Sequence, residues 1–230
     1  MIKFKRYIFY ISTILVATHS GICQSDAIFG NSISDQLLVK MKSGLNTQSY
    51  ESIQGSPYSN DSFIIGTIRT VKGVFEGIPL RFDLYSQWME FKEKGQTYIM
   101  DPTPSITQVH FGDESVYVYP YNDQGRFKLA YFYQLDSGQV KLLMKKTIKF
   151  NPKLPAKPMA DETPAKFTPS KTLFYIKAVN QEAIEITNVK KLAELFPDHQ
   201  KEVESFMTKK KTKLKEDDLI ELWSYYNRLH

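Results

Sequence analysis

The residues able to do chemistry are few and scattered. The four histidines are His19, His110, His199 and His230, and no two stand at the spacing by which a helix presents a metal pair, so no metal site is expected. His110 lies in Val109-His110-Phe111 ahead of Gly112-Asp113-Glu114, where an imidazole partnered by Asp113 is in principle a general base. The plainer reading is a solvent-facing strand histidine. Cys23 is the one cysteine, which excludes a disulfide framework and a cysteine-built metal centre. The chain has no Gly-x-Ser-x-Gly elbow, phosphate loop or Gly-x-Gly-x-x-Gly fingerprint. Hydrolase, kinase and dehydrogenase chemistries lose their usual anchors, and neither cofactor nor catalysis is expected. A hydrolase working through a carboxylate pair needs only two acids on facing elements. With 25 acids available, that is the catalytic alternative.

Two patterns point to contact rather than reaction. Lys209-Lys210-Lys211-Thr212-Lys213-Leu214-Lys215 places five lysines in seven residues, and Lys209, Lys210, Lys211 and Lys213 are the candidates for touching an anionic head group or acidic partner. Glu216, Asp217 and Asp218 follow at once, so a partly self-neutralised loop is the plainer account. Tyr117, Tyr119 and Tyr121 alternate with Val116, Val118 and Pro120, and Tyr131 and Tyr133 flank Phe132. A strand apolar on both sides is either sandwiched between layers or lines a cavity or partner groove. Phe82, Tyr117, Tyr119, Tyr121, Tyr131 and Tyr133 form the candidate ligand or partner surface, with plain core packing as the competing account.

The elements that must position these residues read as follows. Residues 24–60 are rich in Ser, Asn, Gln and Gly with weak periodicity, a loosely ordered arm ending in the turn Gly55-Ser56-Pro57-Tyr58. Residues 61–150 alternate with period two in about eight short segments bounded by Gly, Pro, Asn or Asp, an antiparallel β-meander. Ile78, Leu80, Phe82 and Leu84 share one face, and Val140 to Phe150 reads as one long strand with Val140, Leu142, Met144, Ile148 and Phe150 inward. Glu93-Lys94-Gly95-Gln96, Asn122-Asp123-Gln124-Gly125 and Asp136-Ser137-Gly138 supply hairpin chemistry, each with a Gly able to adopt positive φ. Residues 151–170 carry five prolines, which interrupt any ladder and make an extended connector. In 171–230 one more hairpin, turning at Asn180-Gln181, precedes helices that start at Asn188 as N-cap, break at Pro197 and end with a helix from about Lys215 to Leu229. The fold class is α+β, mainly β: a meander closed as half-barrel, barrel or sandwich, with a C-terminal cap of three helices.

Residues 1–23 have the form of a secretory signal peptide: Lys3, Lys5 and Arg6, then the apolar run Ile8 to Ala17, then small residues up to a cut after Cys23. Ile22 before Cys23 argues against a lipid anchor there. The run is too short for a permanent span, so the mature chain has no transmembrane segment. Removing the leader lowers Lys+Arg from 30 to 27 against 25 acids, a net charge of +2. That near-balance, together with export, argues against nucleic acid as a partner.

Gly55-Ser56-Pro57-Tyr58, Ile78-Pro79-Leu80-Arg81-Phe82-Asp83-Leu84-Tyr85 with Met89-Glu90-Phe91, and the tail motifs Leu195-Phe196-Pro197-Asp198, Asp217-Asp218-Leu219-Ile220 and Tyr225-Tyr226-Asn227-Arg228-Leu229 resemble a group of uncharacterised exported proteins of Bacteroidota. The resemblance spans most of residues 55–230. It implies an envelope compartment, periplasm or cell surface, and an intact fold; it transfers no activity and no functional residues. The chain is thus expected to act as a non-catalytic module binding an envelope protein, with a periplasmic carrier of a lipid or lipid-modified protein as the alternative.

Overall fold

The computed structural model describes residues 33–37, 39–41, 50, 52–138, 140–156 and 161–229. The expected signal peptide, Cys23 and His230 lie outside them. A short helix α1 (Ile33–Gln36) and strand β1 (Val39–Met41) lead into β2 (Ile64–Thr70), β3 (Val74–Asp83), β4 (Trp88–Glu93), β5 (Gln96–Met100), β6 (Ile106–Phe111), β7 (Glu114–Asp123), β8 (Arg126–Asp136) and β9 (Lys141–Lys145). After them come β10 (Ile148–Asn151), β11 (Lys166–Pro169), β12 (Leu173–Lys177) and β13 (Ile184–Glu185). A 3-10 helix (Val189–Leu195), α2 (Gln200–Lys210) and α3 (Glu216–Tyr226) complete the chain. The expected class holds: a mainly β chain whose antiparallel sheet curls into a half-barrel and is followed by C-terminal helices.

The strands lie in the order β1-β5-β4-β3-β2-β6-β7-β8-β9-β12-β13, all antiparallel, with β10 and β11 forming a separate pair. The meander is therefore two runs, β2–β5 and β6–β9, joined edge to edge through β2 and β6. Two-residue turns with positive φ at Lys94-Gly95 and Gln124-Gly125 connect β4 to β5 and β7 to β8, the geometry whose twist matches paired strands. The long strand expected over Val140–Phe150 is instead β9 and β10, broken at Lys146-Thr147. Inward residues keep the same parity across the break, so alternation alone cannot reveal it.

The curl follows from the connections. Four strand spacings separate β5 from β6, about 19 Å in a flat sheet. Register puts Tyr98 level with Ile64 and Ile106 level with Thr70, so Met100, two residues beyond Tyr98, is offset from Ile106 by roughly 26 Å lengthwise. The Asp101–Ser105 link spans at most about 20 Å, so it connects the two strands only if the sheet bends and lets it cross as a chord. Tyr131 on β8, six spacings from β5, confirms this by donating its hydroxyl to the Met100 carbonyl at 3.1 Å.

The concave face holds the main core: Leu80, Phe82, Met89, Phe91, Val109, Val116, Tyr131 and Leu142 with Phe196, Leu219, Leu222 and Trp223 from the helices. Trp223 Nε1 donates to the Val140 carbonyl at 2.8 Å, fixing α3 beside β9. Asn188 caps the 3-10 helix by accepting from the Lys190 amide at 2.9 Å. On the opposite face of β7, β8, β9 and β12 a second core gathers Tyr121, Ala130, Phe132, Leu143, Tyr175 and Ala183. There the Ala183 amide bonds the Pro120 carbonyl at 2.7 Å, drawing the segment before β13 toward β7. β8 is consequently buried on both faces from Ala130 to Tyr133.

Candidate functional site

The six residues of the expected aromatic surface divide between the two faces. Phe82 and Tyr131 meet edge to face at 5.6 Å, with Tyr133 6.3 Å from Phe82, all inside the main core. Tyr121 packs on Phe132 and Tyr175 in the second core. Tyr117 and Tyr119 stack on each other, half-buried, with hydroxyls held by Gln108 at 3.1 Å and Gln134 at 2.9 Å. Lys177 sits 5.3 Å from the Tyr119 ring, and Lys145 sits 4.8 Å from the Tyr121 ring. Burial lowers the Lys145 pKa and raises that of Tyr119 and Tyr121.

The lysine run behaves as a solvated turn. Lys210 pairs with Glu221 at 2.6 Å, Lys211 closes α2 in the left-handed conformation, and the Lys213 amide bonds Asp218 at 2.7 Å. Lys209, Lys210, Lys211 and Lys213 are all exposed. His110 is exposed too, with Nδ1 2.9 Å from Ser115 Oγ.

Two acids are brought together that the sequence did not single out. Asp83 and Glu90, on neighbouring strands, are both fully buried. Arg81 clasps Glu90 Oε2 through Nε at 3.2 Å and Nη2 at 2.7 Å while its guanidinium lies over the Tyr58 and Phe63 rings. Asp83 accepts from the Tyr85 and Ser86 amides at 2.9 and 2.8 Å and from the Tyr50 hydroxyl at 3.2 Å. Burial raises its pKa above the ordinary carboxylate value, and Glu90 adds to the rise. Each carboxylate is satisfied within the protein, so the pair ties the segment before β2 to the sheet. Nothing in it offers a substrate two facing acids.

A cleft of about 310 Å³ opens at the end of the half-barrel beside this region. Six separate stretches of chain build it: Tyr58 and Ser59, Leu84 just after β3, Glu114 at the start of β7, Tyr133 on β8, the β9–β10 bend at Lys146–Ile148, and residues 169–172. Leu84, Ile148 and Pro169 give it an apolar side. Tyr133 donates its hydroxyl to Glu114 Oε2 at 3.3 Å, and Lys146 Nζ faces Glu114 Oε1 at 3.7 Å while lying 4.6 Å over the Tyr133 ring. Burial, then the Glu114 charge, pushes the Tyr133 phenol far above its ordinary pKa. Ser59 Oγ is buried beside that phenol and makes no hydrogen bond of good geometry among the described residues. Of the expected site residues, Tyr133 alone lines this cleft. The sequence signal that was available is the Lys145-Lys146 pair interrupting an otherwise apolar alternation.

Among the described residues no cluster of His, Cys, Asp and Glu is arranged to hold a metal, and no helix is long and apolar enough to cross a membrane. No family model matches the chain, and neither the curated proteins nor the solved structures compared with it give a match.

Proposed function

We propose that the protein is an exported, non-catalytic binding module of the bacterial cell envelope, related to the Bacteroidota group it resembles and acting through its outer surfaces on a protein partner. The carrying observation is that the concave face of the curled sheet is occupied by the chain's own side chains. Phe82, Leu80, Phe91, Tyr131 and Trp223 are buried there against one another and the helices. A lipid carrier needs an enclosed apolar volume at that place, and the packing weighs against it. The stacked Tyr117 and Tyr119 with their Gln108 and Gln134 partners present an amphipathic strip of the kind that protein interfaces favour. The buried acids serve packing, which weighs against the carboxylate-pair hydrolase.

The test is native against denaturing mass spectrometry of the full chain expressed with its leader and recovered from a Gram-negative periplasm. A mature mass beginning at Gln24 without adduct is the expected result. A lipid-sized adduct lost on denaturation would replace this reading with the carrier.

A further inference from the structure

The geometry of the open cleft points to a ligand class: we propose that it binds a small zwitterion bearing an apolar arm, a free amino acid or dipeptide in chemical type. This goes beyond the binding-module reading and stands on the cleft alone.

Lys146 and Glu114 present opposite charges 3.7 Å apart at the cleft, with side chains 40% and 38% exposed. That separation exceeds a good charge-assisted hydrogen bond, so each group keeps donor or acceptor capacity for a guest. A lone anion drawn to Lys146 meets the charge of Glu114, and a lone cation drawn to Glu114 meets Lys146. An α-amino acid carries both signs about 2.5 Å apart across its Cα. Its carboxylate on Lys146 and its ammonium on Glu114 complete a ring of four charges alternating in sign.

The rest of the cleft fits the same guest. Tyr133 anchors the far oxygen of Glu114, so that carboxylate is oriented before anything arrives. Ser59, whose buried Oγ lies beside the Tyr133 phenol, closes the cleft next to that carboxylate. Leu84, Ile148 and Pro169 supply an apolar wall for a side chain. A volume of about 310 Å³ lies at the small end of ligand sites, which suits one or two residues rather than an acyl chain.

Isothermal titration of the full chain with L-leucine, L-phenylalanine and L-leucyl-L-leucine tests this. The comparators are 4-methylpentanoate, which lacks the ammonium, 3-methylbutylamine, which lacks the carboxylate, and glycine, which lacks the arm. Saturable binding of at least one apolar zwitterion is expected, with every comparator at least about tenfold weaker. Lys146→Met and Glu114→Gln should each weaken it by a similar factor while leaving the unfolding midpoint near wild type. Methyl signals of Leu84 and Ile148 in the unaltered protein should shift on titration, a readout independent of whether the variants fold. No binding by any of the three zwitterions at about 10 mM, equal binding of a singly charged comparator, or unshifted Leu84 and Ile148 methyls would each overturn the assignment. Those failures would leave the binding-module reading in place, since the periplasmic mass decides it separately.

Discussion

Arg81 neutralises a carboxylate that water cannot reach, so the fold is sensitive to its loss. Replacing it with Met leaves Glu90 buried without its cation, a loss of about 3–5 kcal/mol. The double variant Arg81→Met/Glu90→Leu should recover most of that loss, because the penalty lies in a buried charge deprived of the Arg81 guanidinium; urea unfolding of the three proteins decides it. Asp83 carries a testable pH signature. Its folded-state pKa is raised by burial, so the folded state holds the proton more tightly than the unfolded chain. Its contribution is therefore fully present below the unfolded pKa and declines as pH rises through the folded value. Asp83→Asn keeps an oxygen for the Tyr85 and Ser86 amides and removes the titration. Its stability should vary less than wild type's from pH 4 upward and match or exceed it at pH 7, as read from urea midpoints along a pH series. Tyr131→Phe removes the hydroxyl that reaches Met100 across the half-barrel, and a loss of about 1–2 kcal/mol is expected in the same assay.

At the scale of elements, Gly66 marks the seam between the two meander runs. A Cβ there would lie 2.1 Å from the His110 carbonyl oxygen and 2.7 Å from Leu80 Cδ1, and the register of β2 against β3 shifts just beyond it. Gly66→Ala should cost about 3 kcal/mol by forcing β2 from β6, with amide exchange rising first at Thr67–Arg69 and Val109–Phe111. Local chemistry in the sequence was enough to locate the hairpin turns at Gly95 and Gly125, the Asn180 turn, the Asn188 cap and the acidic first turn of α3. All of these depend on neighbours a few residues away. The β5-to-β6 crossing, the second core and the division of the tyrosines between two faces depend on register between distant strands, which alternation does not encode. The cleft shows the same limit. Tyr133 could be singled out for its type, but Glu114 and Lys146 acquire meaning only when six separate stretches of chain converge.

At the scale of the whole molecule, residues 31–230 form one compact unit, in which the helices complete the core that the strands begin. Ending the chain before Asn188 would remove Phe196, Leu222 and Trp223 from that core and expose the concave face to water. Such a truncation should not unfold cooperatively, whereas the full chain should show a single calorimetric transition with matching van't Hoff and calorimetric enthalpies. The chord at Asp101–Ser105 also has a bearing on how quickly the native state is reached. Each meander run closes through neighbouring hairpins, on the microsecond scale of such events, but the β2–β6 seam, the Tyr131–Met100 bond and the seating of α3 all join residues far apart in the chain. Folding should therefore be limited by the docking of two preformed halves, on the millisecond-to-second scale of non-local β topologies, and a cut in the chord would turn that step into a concentration-dependent association of fragments.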